Sequence, residues 1–296
     1  MSQVAQRLHA EMVGKTVIIT GVSKDGLGAE AARVVSQHSP KLLLLASRNT
    51  RNVAEVIDAI KPNASPDAVI EPLELDLASQ KSVRAAAAKV LEMTPVVDVL
   101  INNAGVMMIP TYQTTPEGIE MHFGTNHIGH FLFTNLLMPA LRKAPAGPRV
   151  LNISSAGNGG SPVRFDDYNF GEGESYEPFL GYAQSKCANM LFSVALARKL
   201  GDKGLYAFSI DPGSVAGTNL SREIPKEELV ARGWFLENGD PNPALPYKSA
   251  AQSVATYIMA AYDPSMKEVA PHSRDPESAD KLWKLSEKLV GQEFNY

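Results

Sequence analysis

One cysteine in 296 residues, Cys187, excludes an internal disulfide and a metal site built from several thiolates. It fits a reducing compartment. A large charge of either sign is also missing. With 28 Lys and Arg against 32 Asp and Glu, the formal net charge is −4, which offers no basic footprint to nucleic acid or anionic lipid. No segment reaches the ~18 uninterrupted apolar residues of a membrane span, and Met1 to Gly14 carries His, Glu, Gln and Arg where a signal peptide has an apolar run. A cytoplasmic protein is the expectation. Internal repeats, low-complexity tracts and an interdomain linker are absent, so a single domain over 1–296 is expected.

What is present is alternation. Val17 to Ile19, Leu42 to Leu45, Val69 to Leu77, Val97 to Ile101, Val150 to Ile153 and Tyr206 to Ile210 read as strands. Between them Gly28 to Ser36, Arg51 to Ile60, Ser79 to Met93, Glu117 to Lys143 and Tyr182 to Leu200 read as helices. Val4, Leu8 and Met12 recur every four positions and suggest a short amphipathic lead-in helix. Strands alternating with helices build right-handed βαβ units. The expected fold is therefore α/β, a Rossmann-like doubly wound parallel sheet with helices on both faces. Such sheets bind ligands outside the carboxyl ends of their strands. Two irregular stretches, Asn158 to Pro178 and Ser221 to Pro246, interrupt the rhythm; the second holds a helical piece, Lys226 to Arg232, with Trp234 and Phe235. Long loops on a rigid scaffold commonly carry substrate contacts, and 221–246 reads as a substrate lid.

After the first strand comes Thr20-Gly21-Val22-Ser23-Lys24-Asp25-Gly26-Leu27-Gly28, then a helix. Glycines there permit close backbone approach to a pyrophosphate, and the helix N-terminus offers free N–H groups to it. The same string would also serve an ordinary strand–helix corner; its place directly after the first strand favours the dinucleotide reading. The second strand ends in Ala46-Ser47-Arg48-Asn49. An acidic residue there suits the ribose hydroxyl of NAD, and an arginine suits the 2′-phosphate of NADP. Arg48, with Lys24 and Arg51 nearby, favours NADP(H), with NAD(H) still possible; as plain surface charges these three would mean nothing. Asp76 and Leu77, closing the third strand, are candidates for the adenine edge, although Asp76 could equally cap the next helix.

Tyr182-Ala183-Gln184-Ser185-Lys186 puts a phenol and an ammonium on one helix face. A nearby positive charge stabilises phenolate and would draw the phenol toward working pH as a general acid or base. Alone, the pair could be an ordinary surface contact. Three further motifs follow strands and should reach the same edge: Asn102-Asn103-Ala104-Gly105, Ser154-Ser155 and Asp211-Pro212-Gly213. With these motifs in this order, the chain from about Lys15 to Asp263 resembles the short-chain dehydrogenase/reductase superfamily. Asn126-His127-Ile128-Gly129-His130-Phe131 and the tail Lys281 to Ser286 are similar to its retinol-dehydrogenase/carbonyl-reductase-like branch, fungal members included.

The resemblance implies the roles. Tyr182 exchanges a proton with the substrate oxygen, and Lys186 lowers the Tyr182 pKa and binds the nicotinamide ribose. Ser155, or Ser154 beside it, orients the substrate. Asn126 holds a relay water and interrupts its own helix. Gly21, Ser23, Lys24, Gly26, Leu27 and Gly28 take the phosphates, and Asn103, Ala104 and Gly105 the adenosine ribose. Pro212, Gly213, Val215 and Thr218 bracket the nicotinamide. No metal is implied, and His127 and His130 read as packing or hydrogen-bonding residues.

Two departures stand out. Four residues separate Gly21 from Gly26 where the superfamily usually has three, and the stretch from Pro212 to Thr218 is one residue longer than usual. The tail from Met266 to Asp275 lacks a recognisable final strand, so monomer and homodimer stay equally open. The implied activity is NADP(H)-dependent interconversion of an apolar aldehyde or ketone and its alcohol. The alternatives are a cofactor-bound regulatory protein without turnover, or a non-redox isomerase or cyclase.

Overall fold

The computed structural model describes residues 3–266 and 275–296. Six strands form one sheet: β1 (Thr16–Thr20), β2 (Leu42–Ser47), β3 (Ile70–Glu74), β4 (Val99–Asn102), β5 (Arg149–Ile153) and β6 (Tyr206–Ile210). They are all parallel, in the order β3-β2-β1-β4-β5-β6. The helices run α1 (Gln3–Arg7), α2 (His9–Met12), α3 (Leu27–Ser36), α4 (Thr50–Ile60), α5 (Gln80–Met93), α6 (Gly129–Leu136), α7 (Met138–Leu141), α8 (Pro178–Leu200), α9 (Lys226–Ala231), α10 (Ala250–Tyr262) and α11 (Pro276–Val290).

Strand β1 is buried at every position because helices cover both faces of the sheet. Ile18 joins Leu44, Leu100 and Val150 in the core layer shared with α5, α6, α7, α8 and α11. Val17 and Ile19 join Leu43, Leu45 and Leu151 in the opposite layer, with α1, α2, α3, α4 and α10. Each fully buried aliphatic side chain contributes about 1.5–3 kcal/mol of transfer free energy. A slip of one residue would exchange the two layers, so the packing fixes the register.

Three elements differ from the sequence reading. Strand β3 covers only 70–74; it lies at the sheet edge, where Pro72 is tolerated because a donor facing solvent is dispensable. The lead-in forms two short helices, α1 and α2, broken at Leu8, with Ala5, Leu8 and Met12 buried. The expected single helix over 117–143 is split. It begins as a turn closed by a Thr114–Glu120 bridge, with Gly118 at φ +77°, and continues as a π-helix at Phe123–Ile128 before α6 and α7. Pro139, in the first turn of α7, cannot continue an α-helical ladder. The tail expected to lack a strand, 266–275, lies mostly outside the described residues. No helix among the described residues is long and apolar enough to cross a membrane.

Candidate active site

Parallel strands deliver all the strand-end motifs to one edge, and the order reverses between β1 and β4. That reversal opens the crevice in which doubly wound sheets bind ligands. The glycine turn lies directly on it. Gly21 has φ +73°, and a Cβ on it would stand 2.5 Å from the Ala104 Cα. A Cβ on Gly28 would stand 2.6 Å from the Gly21 carbonyl oxygen. Helix α3 starts at Gly26 with no side chain capping it, whereas α4, α5, α8, α10 and α11 begin under Asn49, Ser79, Glu177, Ser249 and Asp275. An uncapped N-terminus behind a side-chain-free cradle suits a pyrophosphate, so these residues fit a dinucleotide.

The extra residue of this turn is taken up locally. The Gly26 N–H donates to the Ser23 carbonyl at 3.0 Å, and Asp25 adopts φ +60°, a left-handed conformation that Asp tolerates. The Lys24 side chain is exposed, and its carbonyl accepts from Asn219 Nδ2 at 3.2 Å, one residue beyond Thr218. The two lengthened segments therefore meet. Thr218 begins a short 3-10 turn and makes no side-chain cap bond. The Gly213 N–H donates to Asp211 Oδ1, and the Lys248 stem lies where a Gly213 Cβ would be. Val215 follows on the same segment, half-buried, and Pro212 precedes Gly213.

Arg48 is exposed just past β2, and Arg51 lies in the first turn of α4. Asp76 does not cap α5, since Ser79 does. Its Oδ1 accepts the Ala78 N–H instead, closing a turn. The Leu77 side chain packs in the core layer beneath α6 and leaves only its backbone to the edge. Asn103 reaches back under the cradle, where its Nδ2 donates to the Thr20 and Gly21 carbonyls at 2.8 and 3.3 Å. A Cβ on Gly105 would stand 3.2 Å from Asn126 Oδ1 and 3.6 Å from Lys186 Nζ.

Tyr182 and Lys186 share a buried face of α8. Ser155 stands beside the Tyr182 ring and pulls the phenol's pKa down, and its Oγ accepts the Gly157 N–H at 3.1 Å. Ser154, by contrast, is buried and donates to the Lys186 carbonyl at 2.7 Å. Burial pushes the Tyr182 phenol up to about 12, against the pull of Ser155, and the Asp211 charge adds to the rise. The Lys186 ammonium, itself lowered to about 8 by burial, donates to the Ile153 carbonyl at 2.9 Å and lies 5.7 Å from the Tyr182 ring centroid.

Asn126 sits inside the π-helix, where the expected interruption occurs. Its side chain grips the Val106 backbone, accepting from N–H at 2.8 Å and donating to the carbonyl at 2.9 Å. A second Nδ2 proton goes to Ser185 Oγ at 2.9 Å, and Ser185 donates to the Tyr182 carbonyl at 2.7 Å.

Residues 15–168 match the model of the short chain dehydrogenase family. Human retinol dehydrogenase 13 is 37% identical over 294 residues, covering 96% of this chain and 87% of that protein. The chain belongs to the short chain dehydrogenase family, in its retinol-dehydrogenase-like branch. Oxidoreductase fscI of Fusarium equiseti is 37% identical over 235 residues, covering 71% of this chain and 91% of its own. Among solved structures, an uncharacterised protein of Mycobacterium Paratuberculosis superposes with a TM-score of 0.70 at 29% identity, covering 96% of both chains.

Tyr257 and Glu120 of this short chain dehydrogenase carried no signal in the sequence, whereas His127 read as a packing or hydrogen-bonding residue. Tyr257, fully buried on α10, donates to Asn103 Oδ1 at 3.2 Å. Buried Glu120 accepts the His122 and Phe123 N–H groups and His122 Nδ1, anchoring the start of the π-helix. His127 Nε2 donates to Ser286 Oγ on α11, because that hydroxyl already donates to the Leu282 carbonyl.

Burial lowers His127 to about 3 and His130 to about 4. Unfolded imidazoles titrate near 6.5, so between there and the folded values the unfolded chain binds more protons, and stability falls as pH drops. At pH ~5 each imidazole should remove roughly 2 kcal/mol. The melting temperature is expected to drop by roughly 5–10 °C between pH ~7 and ~5. His130→Gln should flatten that slope in a pH series of melts; an unchanged slope would assign the acid lability elsewhere.

Proposed function

We propose that this oxidoreductase uses NADP(H) to interconvert an apolar aldehyde or ketone and its alcohol, with Tyr182 as the proton-transferring group. The observation that carries the reading is the Tyr182 phenol paired with Ser155, one helical turn from Lys186, beside the glycine cradle. A phenol held near 12 stays protonated throughout the neutral range and is ready to protonate a carbonyl oxygen during reduction. Ser155 holds that oxygen against the phenol, and Asn126 holds a relay water behind Lys186. Gly21, Ser23, Lys24, Gly26, Leu27 and Gly28 hold the phosphates. Asp76 and the Leu77 backbone take the adenine, Asn103 to Gly105 its ribose, and Pro212, Gly213, Val215 and Thr218 the nicotinamide. When bound, the cofactor supplies or accepts the hydride, and its oxidised ring adds a positive charge that favours phenolate in the reverse direction.

Segment 221–246 serves as the lid over the substrate. Arg232 stacks over Phe179, near the start of α8, and over Trp234, which brings an apolar wall to within a turn of Tyr182. Leu229, Trp234 and Phe235 make the apolar substrate class the natural one. The test is NADPH oxidation with a panel of aliphatic, aromatic and terpenoid carbonyls; cofactor binding without turnover of any of them would sink the proposal. Arg48→Ala is expected to raise the NADPH Kd roughly 10–100-fold, the worth of a charge-assisted phosphate contact, and to leave NADH unchanged. Equal loss for both cofactors, read by titration, would remove Arg48 from the 2′-phosphate site.

A further inference from the structure

His130 is fully buried on α6, and neither the proton chemistry nor the cofactor cradle accounts for it. Its Nδ1 lies 2.9 Å from the Asn126 carbonyl and its Nε2 lies 2.8 Å from Thr20 Oγ1. A carbonyl only accepts, so Nδ1 carries the proton and Nε2 presents a lone pair. The Thr20 hydroxyl accepts from the Asn103 and Ala104 N–H groups, both at 3.0 Å, and its own proton goes to the nearer of two acceptors, His130 Nε2 at 2.8 Å against the Ile101 carbonyl at 3.4 Å. Every donor direction is thereby fixed along one buried chain. It runs from Tyr257 to Asn103, through Thr20 and His130 to Asn126, and on through Ser185 to the Tyr182 carbonyl.

We propose that His130 is a positioning residue that locks the floor of the cofactor cradle, at Thr20, to the backbone of Asn126 behind the Tyr182–Lys186 pair. The geometry needs an imidazole or an equivalent donor–acceptor side chain that spans from β1 to the π-helix. A carbonyl has two lone pairs, so the bond to His130 leaves one for the water that Asn126 would hold. The titratable group that acts on His130 is Lys186 from α8, and His130 acts in turn on His127 in the preceding π-helix. A second cation at His130 would leave Thr20 only the more distant Ile101 carbonyl, at 3.4 Å, as a proton acceptor and would crowd the ammonium, so the neutral ring is the working form.

The inference rests on the reading of Tyr182 as acid/base, and its test separates the two. His130→Leu and His130→Gln are compared by NADPH titration without substrate and by the pH profile of kcat for alcohol oxidation. Leu removes both bonds; Gln keeps one acceptor and one donor. The Leu variant is expected to raise the NADPH Kd at least about tenfold. It should also move the half-maximal pH of kcat upward by about half a unit or more, because a less firmly held ammonium stabilises phenolate less. The Gln variant should return both readings to near wild type. Thr20→Val cuts the same chain at its other end and decides the question if His130→Leu does not fold. The cofactor arm needs no turnover, so it stands even if Tyr182→Phe proves active. A Kd and a pH midpoint both unmoved, in a variant that merely melts earlier, would reduce His130 to packing and overturn the proposal.

Discussion

Tyr182→Phe is expected to lower kcat about a thousandfold or more while NADPH still binds within about threefold of wild type. Positioned acid–base groups contribute about 10²–10⁴-fold, and a thousandfold loss corresponds to about 4 kcal/mol of transition-state stabilisation. The substitution removes one oxygen and leaves the ring, which is buried on α8 with only 5% of its surface exposed. The lost hydroxyl belongs to a phenol whose pKa Ser155 pulls down, and the bond of Ser155 to the Gly157 N–H remains. Folding and the cradle should therefore survive. Steady-state rates and a cofactor titration on the same preparation check this; a kcat within tenfold of wild type would move the proton chemistry to another group.

The second large effect belongs to Gly21→Ala, which should lose NADPH binding by about a hundredfold or more and melt roughly 5–10 °C lower. Two costs combine. A left-handed φ of +73° carries about 1–2 kcal/mol for a residue with a Cβ. The new methyl would also stand 2.5 Å from the Ala104 Cα and 2.9 Å from its nitrogen, and such crowding costs about 1–3 kcal/mol. Relief must come from shifting β1 against the segment after β4, which is the crevice itself. Gly204→Ala is the control. It has φ +86° and open space around it, so it should show the backbone strain alone and bind NADPH normally. Equal melting losses in the two variants would mean that crowding at Ala104 contributes nothing.

The sheet was legible because its strands are buried on both faces, and Val17 to Ile19 could belong to nothing exposed. The glycine turn, Tyr182 and Lys186 were legible because their chemistry depends on short spacings. The choice between Ser154 and Ser155 was not. Neighbouring residues at a strand end point to opposite sides, and only the placement of α8 shows which side holds the phenol. The π-turn at Phe123–Ile128 could not be read from a helical apolar pattern, which it shares with an α-helix over the same residues. Helix α10 escaped notice because its many alanines blur the contrast between faces, and Tyr257 went with it. His130 read only as a packing or hydrogen-bonding residue because its partners, Thr20 and Asn126, come together only after β1 and the π-helix have docked. The burial of the Tyr182 phenol was not legible for a similar reason: spacing records distance along a helix and says nothing about burial.

Helix α11 returns from the end of the chain to close the far side of α8. Trp283 packs edge-on to Phe131 and tilted against Phe192, and Ser286 receives the proton of His127. The segment carrying Tyr182 and Lys186 is thus complete in sequence well before the wall behind it exists. During synthesis Phe131 and Phe192 emerge well before Trp283, the partner they pack against. Until then the nascent chain displays an aromatic surface of the kind that chaperones hold. The wall behind α8 therefore closes only once the segment carrying Trp283 has been made.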